Sequence, residues 1–194
     1  MPRISEQRRA ERRQTILSAA RTLFTEQGFH ATSMDDIIEK AGMSAGGVYG
    51  YFASKDAIIT AVAEETVSAV ASGLRAIPMD PPLSLIEIVA ALLRTVDAAA
   101  DTAGRLALQV WAEAQRDPAI AALAAREAGS LRQTVGELVQ RAADAGQLPV
   151  GVDPQALTHL LFSLAAGTLV QRRLLTDVDV EQQIGTVATL LRLP

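Results

Sequence analysis

The chain has 194 residues, 49% of them hydrophobic, no cysteine, and a formal net charge of −4. That apolar share belongs to a globular protein with a real core and sets disorder aside. The missing cysteines exclude disulfides, thiolate zinc sites and cysteine nucleophiles, and fit a reducing, cytoplasmic home. The opening run "MPRISEQRRAERRQT" is charged, with no apolar signal core behind it, and the longest uncharged apolar stretch, around "LLFSLAAGTLV", is too short to span a bilayer. No membrane partner is expected. The charge is unevenly placed: residues 1–21 hold Arg3, Arg8, Arg9, Arg12, Arg13 and Arg21 against Glu6 and Glu11, a net of +4, which leaves −8 for the rest. Such an end either meets a polyanion or is simply a solvated basic helix start.

In chain order, Ile16, Leu17, Ala20, Leu23 and Phe24 recur at helical spacing, and the pattern stops at Gly28 as a C-terminal cap. Thr32 and Ser33 precede a second helix, "MDDIIEKA", with Asp35 and Asp36 in its first turn and Met34, Ile37, Ile38 and Ala41 on one face; it ends at Gly42. Ser44 caps a third, short helix in which Ala45, Val48 and Phe52 face inward, and Ser54 caps a long fourth helix running toward Ile77. After "IPMDPPLS", the pattern resumes at Leu85, Ile88, Val89, Leu92, Leu93 and Val96. A segment centred on "LALQVWAEAQRDP" follows, then helices from Pro118 to Ala145, from Asp153 as cap with Pro154 at its first position, and from Val180 to Leu193. No strand-like alternation persists, so the fold class is all-α.

Two short helices joined by a glycine-containing turn make a helix-turn-helix, whose second helix presents its outer face to a DNA major groove. Gly42 supplies the turn, and Gly46 and Gly47 thin the second helix so that its backbone can approach a duplex. Tyr49 and Tyr51 diverge by about 200° on a helix, so they cannot both be core. At least one phenol is expected outward, where its hydroxyl can donate to a phosphate. In the helix after Asp153, Leu157, Leu160, Leu161, Leu164 and Thr168 line one face while Phe162, Ala165, Ala166, Leu169 and Val170 cover the other. It is either a central core helix or a helix with a second partner; paired with the terminal helix (Ile184, Val187, Leu190, Leu191), it would form a two-fold, four-helix seam between two copies.

The run "ILSAARTLFTEQGFHATSMDDIIEKAGMSAGGVYGYFASKDAII" resembles the N-terminal DNA-binding segment of the tetracycline-repressor (TetR) family. Ile16, Leu17, Ala19, Ala20, Leu23, Phe24, Gly28, Ala41, Gly42, Ser44, Gly46, Tyr49, Phe52 and Lys55 carry the likeness. The resemblance implies a helix-turn-helix domain over 1–54 and a helical ligand-binding and dimerisation domain over 55–194, with a connecting helix over about 55–77. It implies a homodimer through the last two helices on a pseudo-palindromic double-stranded DNA operator. The Thr32 and Ser33 hydroxyls, beside Met34, and Lys55 would then meet phosphates. Ser44, Ala45, Gly46, Gly47, Tyr49, Gly50 and Tyr51 would lie on or beside the groove-facing side, and the arginine-rich start would follow the backbone or enter the minor groove. Two positions depart from the family's habit: Ile38 stands where a small residue is common, and Gly47 where threonine often stands.

The resemblance also implies a ligand cavity in the later helices, for which Trp111, Met79 and Phe162 are the large lining candidates and Gln109, Glu113, Gln115, His159 and Gln171 the polar ones. Such a pocket suits a small, largely apolar molecule. The alternative is a DNA-binding or small-molecule-binding helical dimer without ligand-controlled repression. Catalysis is not expected: "AGMSAGG" follows no strand and lacks the lysine of a phosphate loop, His30 and His159 form no recognisable metal pair, and no nucleophile elbow occurs. No metal or cofactor is expected.

Overall fold

The computed structural model describes residues 6–78, 80–101, 103–175 and 177–191. Among them the ordered elements are nine α-helices and no strand: α1 (Glu6–Gln27), α2 (Met34–Ala41), α3 (Ala45–Tyr49), α4 (Lys55–Arg75), α5 (Leu85–Ala99), α6 (Ala103–Glu113), α7 (Pro118–Asp144), α8 (Pro154–Leu174) and α9 (Val180–Leu190). The chain forms two compact units, 1–66 and 67–194, with the division inside α4.

In the first unit, α1 lies against α2 and buries the stripe Ile16, Leu17, Ala20, Leu23 and Phe24, and Ile37 of α2, Val48 of α3 and Ile58, Ile59 and Val62 of α4 are buried as well. Phe29 closes the base of this core, its ring edge-on to Phe24 at 5.0 Å between centroids. Ala45, expected inward from its spacing to Val48, is exposed. It is the first residue of a five-residue helix, and no neighbouring element covers it. By length and apolar composition α4 matches a membrane span, yet Ile58, Ile59, Ala61 and Val62 are buried in this core.

In the second unit, α5 lies against α7, α8 and α9, and α6 against α7 and α8. Ile88, Leu92 and Leu93 of α5 meet Val135, Leu138 and Val139 of α7, Leu157 and Leu161 of α8 and Ile184 of α9. Fully burying side chains of this size contributes about 1.5–3 kcal/mol each. Ion pairs rim the core: Arg172 Nε to Asp97 Oδ1 at 2.5 Å, Arg173 Nη1 to Asp101 Oδ1 at 3.2 Å, and Arg94 to Glu181 through two bonds of 2.7 and 2.8 Å.

The inward stripe of α8 is Leu157, Thr158, Leu161, Ala165 and Thr168. Leu160, expected on that face, is 64% exposed, because at 100° per residue it points about 110° away from the stripe's centre. On α9, Val180 and Ile184 are buried while Leu190 is 59% exposed. Thr168 donates to Gln183 Oε1 at 3.1 Å, and Gln183 Nε2 donates to Gln171 Oε1 at 3.2 Å, tying α8 to α9. The fourth helix ends at Arg75, short of the expected Ile77, and the ninth at Leu190; its expected end, Leu193, lies outside the described residues.

Candidate nucleic-acid interface

The turn between α2 and α3 is built from its caps. Ser33 accepts the Asp36 amide at 3.1 Å, while its own amide and hydroxyl donate to Asp36 Oδ2 at 2.7 and 2.6 Å, a reciprocal box that starts α2. These bonds, the hydroxyl's first, hold the Asp36 carboxyl below its ordinary value of 3.8. A lowered folded-state value means that the cap's contribution is complete above the ordinary Asp range and fades as pH falls through the lowered one.

Gly42 then turns the chain at φ +62°, its amide donating to the Glu39 carbonyl at 3.0 Å. A Cβ there would meet nothing within 4 Å, so the need for glycine lies in the backbone alone. Gly42→Ala is therefore expected to cost about 1–2 kcal/mol, read as a lower midpoint in urea unfolding with an unchanged slope.

Ser44 accepts the Gly47 amide at 3.1 Å and starts α3. Val48 is fully buried, and Phe52, whose amide donates to Val48, is buried with it, so the opposite side of α3 faces solvent. That side consists of Ala45, Gly46, Tyr49 and Gly50, with Gly47 and Tyr51 half-buried beside it. Tyr49 is 49% exposed and is the outward phenol. A Cβ at Gly46 would point into open space, whereas one at Gly47 would come within 3.1 Å of Ser44 Oγ and crowd the cap. The glycine at 47 is thus suited to this cap as it is built here.

Other expected phosphate contacts lie differently. Thr32 is 1% exposed and its hydroxyl donates to the Gly28 carbonyl at 2.8 Å. Since a phosphate oxygen needs a donor, neither this hydroxyl nor that of Ser33, committed to Asp36, is free to serve one in this arrangement. Met34 is half-buried at the start of α2. Lys55 Nζ donates to the carbonyls of Phe29 at 2.7 Å and Thr32 at 3.0 Å, and its third hydrogen remains for an outside acceptor.

The basic end is also rearranged. Arg13 and Arg21 both pair with Glu65 of α4, at 3.0 and 2.8 Å, and Arg8, Arg9 and Arg12 lie on the exposed first turns of α1. Sequence reasoning missed Glu65, and no local signal marks it: its partners lie 52 and 44 residues away. Arg3 lies outside the described residues.

This geometry, two capped helices and a glycine turn ahead of a long connecting helix, has known counterparts. The description "Bacterial regulatory proteins, tetR family" fits residues 16–62, and "Tetracyclin repressor-like, C-terminal domain" fits residues 84–187, more than half of the chain. The chain belongs to the TetR family of transcriptional regulators. UidR of Escherichia coli strain K12, an HTH-type transcriptional regulator, is 28% identical over 172 residues, covering 87% of this chain and 82% of UidR. FasR of Mycolicibacterium smegmatis, a transcriptional activator, is 40% identical over 67 residues, 34% of this chain and 31% of FasR. Among solved structures, Salmonella enterica GusR superimposes with a TM-score of 0.72 at 27% identity, covering 87% of this chain and 85% of GusR. A protein from Saccharomonospora viridis solved in complex with choline gives a TM-score of 0.74, covering 94% of this chain and 96% of its own; at 22% identity that likeness is one of fold.

In this TetR-family regulator the residues expected at a ligand cavity fall on several elements of the second unit. Trp111 on α6 and Phe162 on α8 are half-buried, Gln115 is exposed beyond the end of α6, and Gln109 buries its side-chain oxygen. Met79 lies outside the described residues. His159 is exposed and lines an open groove of about 580 Å³ between α7 and α8, with Arg132, Gln133, Glu137, Gln140 and Thr158. Neither Trp111 nor Phe162 borders that groove.

Proposed function

We propose that this regulator is a repressor: a homodimer that holds a pseudo-palindromic operator through two copies of α3 and is released when a small organic molecule binds the second unit. The observation that carries the reading is the outer face of α3, where an open Gly46 and an outward Tyr49 leave the helix thin enough to enter a major groove. Residues 1–54 form the DNA-binding domain and 55–194 the sensing and dimerising one, and the protein acts in the cytoplasm. Few side chains on that face can read base edges, so discrimination rests on Tyr49, the α1 arginines and DNA shape. The exposed leucines of α8 and α9 suit a seam between two copies. Relatives include a repressor from Mycobacterium tuberculosis as well as the FasR activator, and the choline complex of the S. viridis protein supports a small ligand for this fold. Ligand binding weakens operator affinity by the ligand's differential affinity for the two dimer states.

The reading is tested by selecting bound sequences from random duplex DNA with the purified protein. A two-fold pseudo-palindrome is the expected product; no enrichment at moderate salt would overturn DNA-directed regulation. Two variants refine it. Tyr49→Phe removes one phosphate donor and should weaken operator binding by about 0.5–1.5 kcal/mol without moving the melting temperature. Deleting residues 1–9 removes Arg3, Arg8 and Arg9 and should flatten the dependence of log affinity on log salt, measured by fluorescence anisotropy; an unchanged slope would exclude the arm.

A further inference from the structure

Glu65 does more than balance charge. Its Oε1 accepts Arg13 Nη1 at 3.0 Å, and its Oε2 accepts Arg21 Nη2 at 2.8 Å and Gln14 Nε2 at 3.4 Å. With each oxygen separately occupied, the carboxylate is fixed in rotation, and Arg13 is held on one side of it. On that side the Arg13 guanidinium lies over the Phe52 ring, 5.4 Å from its centroid. Phe52 is buried, and its amide donates to the Val48 carbonyl at 3.0 Å, so its backbone closes the end of α3 just beyond Tyr49. A chain of contacts thus runs from α4 through Glu65, Arg13 and Phe52 to the recognition helix, all within the first unit.

We infer that Glu65 is a positioning residue for DNA recognition: by seating Arg13 on Phe52 it sets where α3 ends, and by holding Arg13 and Arg21 it keeps two guanidiniums from binding phosphates indiscriminately. The inference rests on the reading of α3 as the DNA-reading helix. Both parts act on discrimination in the same direction. Losing the carboxylate loosens α3 against the operator while freeing two cations that bind any duplex.

The test compares the selected operator with a scrambled duplex of equal length for wild type, Glu65→Gln and Arg13→Lys, with melting temperatures alongside. Glu65→Gln keeps the side chain's shape and removes its charge. Its operator affinity should fall roughly tenfold, the size expected for loss of a charge-assisted pair, while its affinity for the scrambled duplex holds or rises by up to about threefold. Arg13→Lys keeps the cation but lacks the flat face that stacks on Phe52, and it should lose discrimination too. A merely structural role would lower both affinities together with the melting temperature. That pattern, or an unchanged ratio in Glu65→Gln, overturns the inference. If Glu65→Gln does not fold, Arg13→Lys decides: a wild-type ratio there sinks the link through Phe52. A wild-type protein that enriches no sequence in the first place sinks the regulator reading instead, so the two failures are distinguishable.

Discussion

Gly46→Leu is expected to leave the protein folded and to abolish useful operator binding. A Cβ at this position meets nothing within 4 Å and Gly46 is exposed, so the added side chain is expected to extend into solvent. Glycine in a helix costs roughly 0.5–1 kcal/mol relative to alanine, so the variant should melt at the wild-type temperature or slightly above it. Against DNA the same side chain stands where the backbone must come close to base edges. It either pushes α3 out of the groove or leaves polar base edges without partners. At about 1–3 kcal/mol for each of two half-sites, operator affinity should fall at least roughly 30-fold. Anisotropy titration and a circular-dichroism melt on one preparation check both halves. Unchanged affinity would mean that this face of α3 does not meet DNA.

The second large effect is expected at α8. Leu160→Arg places a cation at a site that is mostly exposed in the single chain, so the fold of the subunit has no reason to suffer. If α8 and α9 form the seam between copies, two-fold symmetry brings in two unpaired charges, each costing about 3–5 kcal/mol when buried without a partner. The variant should sediment as a monomer at micromolar concentration, where the wild type is expected to sediment as a dimer. Operator affinity should drop at least roughly 100-fold, because a lone α3 holds one half-site with no help from the other. A variant that stays dimeric would place the seam elsewhere.

Much of the fold was legible because helix ends are written locally. Ser33, Ser44 and Asp153 each had the residue type and position of a cap, and each accepts the amides expected of one; Gly42 had to leave the right-handed region, and does. Faces were less secure. Periodicity ranked Leu160 with Leu157 and Leu161, but a stripe of five residues has edges, and Leu160 lies beyond this one. Least legible was where polar side chains aim. Thr32 and Lys55 both carry donors at positions that suit phosphates, yet the closure of the α1–α2 loop turns the Thr32 hydroxyl and two Lys55 hydrogens onto backbone carbonyls. Such carbonyls need partners when buried, and nothing in the local sequence announces which donor supplies them.

The pairing of Arg13 and Arg21 with Glu65 also bears on how the regulator lives with its cell's ionic climate. Each phosphate neutralised ties affinity to ion concentration. Were those two arginines on DNA in both subunits, four more ions would be released on binding, and a doubling of salt would cost about twelvefold more in occupancy. With both paired to Glu65, DNA binding is expected to depend less steeply on salt, so that whatever this regulator controls stays steadier as the ionic strength around it changes.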